Sequence, residues 1–264
     1  MDGHWLMHVH VTEPHAAYDP PEEYLDGLDG LDPIPWDLTE SEFHYDATGE
    51  WSGLTPDEQA NLMAHLKVRY QAEIRYLDDQ LGLAFADLEA RGLLEDTLVV
   101  VYNDHGESFF EHGYQSHAHT LHAQENNGLL VFWSANLEPG VWSGPTHSTD
   151  LAATLLDLHG VTIPAEVDGV PLGTADADRA RFQYSVARQG VLQSVIQGPH
   201  KLHYDWDDGR LELYDRVVDP DEAADLAATE AETVARLWAL LRPEVEALDP
   251  LLVQAPVWPD LTTD

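Results

Sequence analysis

"VVVYNDHGESFFEHGYQSHAHT", residues 99–120, passes from a β-branched run into one carboxylate and then into a burst of imidazoles. Its first part belongs to "TLVVVYN", residues 97–103, which reads as a fully buried strand because the apolar run shows no alternation. Asp104 and His105 follow at once, and Gly106 lets the backbone turn tightly behind them. In open α/β sheets, ligands gather at the carboxyl ends of strands. A hard carboxylate oxygen beside a neutral imidazole suits a divalent cation such as Mg, Ca, Mn or Zn. Taken alone, the same pair reads equally well as a helix cap beside a surface histidine. Four further histidines, His112, His117, His119 and His122, follow on a loop. For any one of them a structural role is the better reading, and spacing does not choose among them.

Working outward, "TPDE" at 55–58 is a helix start, with Thr55 as cap, Pro56 at the first helical position and Glu58 completing a capping box. Leu62, Leu66, Tyr70, Ile74, Leu77, Leu81, Phe85 and Leu88 recur at three- or four-residue steps, and Gly92 marks the end of that long helix. A helix feeding a central strand is half of an α/β unit. "WLMHVHV" at 5–11 reads as a short buried strand, and the loop after it carries His15, so His10 and His15 can reach the same rim. Residues 25–54, rich in Asp, Gly and Pro, read as a long surface excursion. "NGLLVFWS" at 127–134 is another strand, and "STDLAATLLDLHG" at 148–160 is a capped helix stopped by Gly160. Residues 182–215 alternate in short stretches separated by "QGPH" and "DDGR", the pattern of an antiparallel meander. An amphipathic helix over roughly 221–247 closes the chain.

The 264 residues carry 49 acidic and 12 basic side chains, for a formal net charge of -37. The acids are spread along the chain rather than gathered in a tail, so they describe a charged surface. Such a coat repels nucleic acid and anionic membranes. It fits a halophilic protein kept soluble where salt screens the repulsion, and calcium binding over the surface is the weaker reading. There is no cysteine, which excludes disulfides, thiolate metal sites and a thiol nucleophile. No apolar run is long enough for a membrane helix, and Met1-Asp2-Gly3-His4 opens no signal-peptide pattern.

"YQAEIRYLDDQLG", "TLVVVYNDHGESFFEHG", "THSTDLAATLLDLHGVTIP" and "HKLHY…GRLELYDRVVDPDEAADLA", in this order, resemble the sulfatases of the alkaline phosphatase superfamily. "HVHVTEPHAAYDPPEEY" resembles that family's upstream loop of His and Pro. The resemblance implies an alkaline-phosphatase-like α/β sheet with flanking helices over residues 1–175, and a C-terminal subdomain of antiparallel sheet and helix over 176–264. It implies that Asp104 and His105 are metal ligands, calcium first, with Mn, Mg or Zn as alternatives. It implies that His15 contacts the ester and protonates the leaving oxygen, and that His117 holds sulfate oxygens. The substrate would be an anionic sulfate ester, small molecule or glycan. A cation and imidazolium donors would stabilise the charge that builds on the transferring group. Tyr102, Glu107 and His112 receive no role, Glu107 reading as a solvated acid. His119 and His122 read as supporting or surface positions.

Two elements of the family pattern have no counterpart in the sequence. One is a first strand with paired acidic ligands; the other is the Cys or Ser that becomes the formylglycine nucleophile. The chain thus resembles the carboxyl-terminal half to two-thirds of a sulfatase, with formylglycine expected in a missing N-terminal segment. A truncated or split reading frame is the corresponding expectation. Exposed apolar sheet edges and low stability of the chain alone would follow. Two other readings stand beside sulfate-ester hydrolysis: a hydrolase of phosphodiesters or phosphonate monoesters on the same scaffold, and a non-catalytic remnant that keeps the metal and anion contacts.

Overall fold

The computed structural model describes residues 5–39, 51–187, 190–248, 257 and 259. The chain forms two compact units, Met1–Leu98 with Phe109–Ser116, and Val99–Ser108 with His117–Asp264.

The first unit is organised by helix α1, Pro56–Ala90. Its start is the expected capping box: the Thr55 side chain accepts from the Glu58 N–H, and the Glu58 carboxylate accepts from the Thr55 N–H at 2.8 Å. Gly92 follows its end at φ +67°. Only the first half of the apolar stripe is deeply buried. Leu62 and Leu66 pack with Tyr18, Leu38, Phe109 and Phe110, with Ile34, Trp36, Trp51 and Leu54 against them. Trp51 stacks on Phe110 at 3.9 Å, and Lys67 pairs with Glu111 at 2.8 Å. Residues 25–54 are therefore not simply a surface excursion. Leu38 is fully inside the core, because aromatic and aliphatic residues scattered among Asp and Pro anchor the segment; residues 40–50 lie outside the described residues.

Residues 5–11 form no strand, and Leu6, Met7 and Val9 are exposed. A strand exists only through a ladder to a neighbour, and no neighbouring strand pairs with this segment among the described residues.

The second unit opens with strand β1, Val99–Tyr102; the chain re-enters the first unit over Phe109–Ser116, beginning at the short strand β2, Ser108–Phe109. β2 pairs with β3, Gln115–Ser116. A single helical turn, α2, Ala123–Asn126, then leads to β4, Leu130–Trp133. β1 and β4 pair antiparallel, Val99 facing Trp133 and Tyr102 facing Leu130. A parallel central strand buried on both faces was expected; the eight residues are all apolar as expected, but Tyr102, Val131 and Trp133 are each more than 40% exposed. A ribbon of two strands cannot cover both of its faces, whatever its composition.

Helix α3, Asp150–Leu158, ends at Gly160 with φ +65°. Its cap is not the serine or threonine side chain. Buried Asp150 instead accepts from the His147 N–H at 2.9 Å and the Val170 N–H at 3.0 Å, and pairs with Arg179. The meander is present as β5 Arg181–Ala187, β6 Gly190–Gln197, β7 His200–Asp205 and β8 Leu211–Asp215, antiparallel in chain order. Helix α4, Ala231–Leu248, covers it with Val234, Leu237, Trp238, Leu241 and Val245, packed on Val195, Leu202, Trp206 and Leu213. The helix begins at 231 rather than 221. Residues before it are held off helical geometry by Asp225, which accepts from Leu213 and Ala227 N–H groups, and by the Leu226 N–H bonded to the Leu213 carbonyl. No helix among the described residues is long and apolar enough to cross a membrane.

Candidate active site

The turn off β1 is fixed by Asn103. Its Oδ1 accepts from the Leu129 N–H and its Nδ2 donates to the His105 carbonyl, so both strands of the ribbon hold the segment that follows. Asp104 projects from it with a well-exposed carboxylate. Asp104 Oδ1 accepts the His105 N–H at 2.9 Å, and Oδ2 stands 3.7 Å from His105 Nε2. His105 Nδ1 faces the Gly106 carbonyl at 2.9 Å. A carbonyl can only accept, so Nδ1 donates, and Nε2 faces the side where Asp104 Oδ2 lies. Orienting an imidazole through its second nitrogen is how proteins prepare a metal-ligating histidine. The carboxylate–imidazole donor set fits a divalent ion, and two donors are fewer than such an ion requires.

Gly106 is required by close approach. A Cβ there would lie 2.1 Å from the Gln124 carbonyl oxygen, and its N–H bonds to the Glu125 carbonyl at 2.8 Å. The turn behind Asp104 and His105 is thus seated directly on α2.

His117 arrives beside His105, the ring centroids 4.0 Å apart. Its Nδ1 bonds Glu107 Oε1 at 3.2 Å, and the Glu107 side chain is only 5% exposed. The hydrogen bond to Glu107 raises the His117 pKa above the ordinary histidine value against the opposing effect of burial, and the charges of Glu107, Glu125 and Asp104 add to the rise. The residues flanking His117, Ser116 and Ala118, take φ +76° and +64°, left-handed backbone that costs a non-glycine residue about 1 kcal/mol or more each. The loop is held in that shape from below. Buried Glu125 accepts the His119 N–H at 2.9 Å, the Thr120 N–H at 3.0 Å and the Thr120 hydroxyl at 2.9 Å.

Asp104, His105 and His117 therefore converge within the second unit. His15 belongs to the first, where it is exposed with Nδ1 against the Ala16 carbonyl at 2.6 Å. Glu107, read from sequence as a solvated acid, is a buried partner of His117; only the ten-residue interval separates them in the chain, and no sequence pattern announces it. Of the supporting and surface readings of His122, burial excludes the surface one. The residue is buried with His203 and Glu222, its Nδ1 3.3 Å from Glu222 Oε2. Lys201, fully buried, donates to both Glu222 oxygens and to the Leu121 carbonyl. Burial lowers the Lys201 pKa to about 8, and the Glu222 charge resists that fall. Burial pushes the Glu222 pKa up, but His122 and Lys201 together hold it below the ordinary value. The alternation in "HKLHY" puts Lys201 and His203 on one face of β7, which is the signal that could have found them.

The fold is that of the sulfatase-like α/β proteins of the alkaline phosphatase superfamily. Residues 2–161 match the Sulfatase family, and the chain belongs to it. It is 27% identical to the choline-sulfatase of Rhizobium meliloti over 84% of its own length and 46% of that protein. Among solved structures it is similar to BT4656, determined with its substrate D-glucosamine-2-N,6-O-disulfate. That likeness has a TM-score of 0.60 at 21% identity, over 80% of this chain and 47% of the other. It is also similar to a phosphonate monoester hydrolase from Silicibacter pomeroyi, with a TM-score of 0.65 at 23% identity, over 90% and 55% of the two chains. The chain spans about half the length of the curated relative.

Proposed function

We propose that this chain carries part of the active site of a divalent-metal-dependent sulfatase, which hydrolyses sulfate esters of small molecules or glycans. The supporting observation is the Asp104–His105 pair with its fixed imidazole tautomer, set beside a histidine whose positive charge is favoured. A divalent ion, calcium first, would supply Lewis-acid polarisation of the sulfuryl oxygens and offset the charge that builds on them. Asp104 and His105 are its ligands from this chain. His117, whose positive charge Glu107 favours, donates to a peripheral oxygen of the ester and stabilises the developing negative charge. His15 protonates the alkoxide released as the S–O ester bond breaks. The attacking group, formylglycine in the family, belongs to a part of the sulfatase fold that these 264 residues do not span.

Paired assays with an aryl sulfate and an aryl phosphate diester test this reading on the full-length protein. The sulfate is expected to react faster. His117→Ala should lower kcat by about 100-fold or more, the usual effect of losing one donor to a developing oxyanion. Asp104→Ala should abolish turnover at metal concentrations that saturate the parent. Equal or reversed rates on the two esters overturn the sulfatase assignment in favour of phosphodiester or phosphonate hydrolysis, for which the likeness to the Silicibacter enzyme provides the precedent. No turnover of either ester, with metal and anion binding intact, identifies a non-catalytic remnant.

A further inference from the structure

We infer that His122, His203 and Glu222 form a second metal site, three protein donors for a zinc-class transition ion, separate from Asp104 and His105. The three donor atoms lie within 4.8 Å of one another, and all three residues are buried. His122 Nδ1 is 3.3 Å and His203 Nε2 3.7 Å from the same oxygen, Glu222 Oε2. Ligands held about 2.0–2.2 Å from a tetrahedral zinc stand roughly 3.3–3.6 Å apart, so both imidazole–carboxylate spacings are near those of a ligand set, and the two rings would close toward each other on an ion. Two imidazoles and one carboxylate select a borderline ion over calcium or magnesium, which take oxygen donors.

The surroundings are those of a prepared ligand set. Glu222 sits at φ +53°, and its Oε2 accepts the Ala123 N–H at 3.1 Å while Lys201 bridges both oxygens. Hydrogen bonds of this kind aim a carboxylate at an ion. Both imidazoles lie edge-on to Tyr214, each with its centroid 5.3 Å from that ring, which fixes their planes and excludes solvent. Lys201 and Arg216 bring positive charge to Glu222, and a bound dication would have to share that carboxylate with them. The donors come from the loop before α2, from β7 and from the turn after β8. An ion here would clamp three separated segments, a structural rather than catalytic use.

The test begins with the chain stripped by chelator, desalted and titrated with cobalt, then zinc. One equivalent of cobalt should give the visible absorption of a nitrogen-ligated tetrahedral ion, and zinc should displace it and raise the melting temperature. The Asp104→Ala/His105→Ala variant should bind that equivalent unchanged, which separates this site from the proposed catalytic one. His122→Gln and His203→Gln should each weaken binding at least ten-fold. If either variant fails to fold, X-ray absorption at the zinc edge of the parent decides by counting two imidazole ligands. Absence of saturable binding, fewer than two imidazoles, binding indifferent to both glutamine variants, or binding lost with Asp104 and His105 overturns the inference. The cluster is then only an ion-paired clasp around Glu222.

Discussion

The charge on His117 depends on a residue ten positions earlier. Glu107 is buried, its oxygen 3.2 Å from His117 Nδ1, and this contact is the leading reason for the raised pKa. A histidine whose folded pKa lies above its unfolded value near 6.5 adds stability that is complete below that value. That stability is lost as pH rises through the folded pKa. Glu107→Gln keeps an acceptor but removes the charge. The His117 pKa should therefore fall, and NMR titration of its ring proton in the chelator-treated chain measures the shift. An unmoved titration would refute the pairing. In the active protein the high-pH limb of the rate profile should move to lower pH by the same amount. Asp104 and His105 stand out in the sequence because strand, acid, histidine and glycine are adjacent. The left-handed backbone at Ser116 and Ala118 does not, since neither residue is the glycine or asparagine that usually marks it.

At the scale of elements, the Lys201–Glu222 pair joins β7 to the segment after β8, and through the Leu121 carbonyl and Ala123 N–H it also holds the start of α2. Both members are essentially inaccessible to water. Removing one leaves the other buried and charged, which costs about 3–5 kcal/mol, whereas replacing both with apolar residues of similar volume is often near neutral. Glu222→Leu and Lys201→Met should each lower the urea midpoint of the second unit strongly, and the double variant Lys201→Met/Glu222→Leu should recover most of the loss. Additive losses in that cycle would show that the two act independently. Leu202, Leu213 and the α4 stripe were legible because periods of 2 and 3.6 survive in any sequence with one buried face. Residues 5–11 were misread for the converse reason: their apolar alternation describes a strand, but pairing is a property of the neighbour as well. The start of α4 was misread because Asp225 and Leu226 bond to β8, and such contacts leave no local pattern.

The whole molecule is governed by its charge. Few cations serve 49 acids, and most of those described are already engaged: Lys67 with Glu111, Arg179 with Asp150, Lys201 with Glu222, Arg210 with three carboxylates and Arg242 with Glu246. Two salt effects oppose each other. Screening weakens exposed ion pairs, each worth only about 0–1 kcal/mol. It also weakens self-repulsion among the carboxylates left over from a net charge of -37, and that repulsion acts between many sites at once. The Debye length falls from about 10 Å at 0.1 M to about 3 Å at 1 M, below the spacing of most surface charges. Burial of Leu237, Leu241 and Val245 against the meander is meanwhile strengthened by excluded salts such as sulfate. The repulsive term should win, so the melting temperature should climb continuously between dilute buffer and molar salt. It should climb with chloride as well as sulfate, because screening needs no exclusion from apolar surface. A rise with sulfate alone would assign the effect to the hydrophobic core, and a flat response to both would mean that the acidic surface does not limit stability.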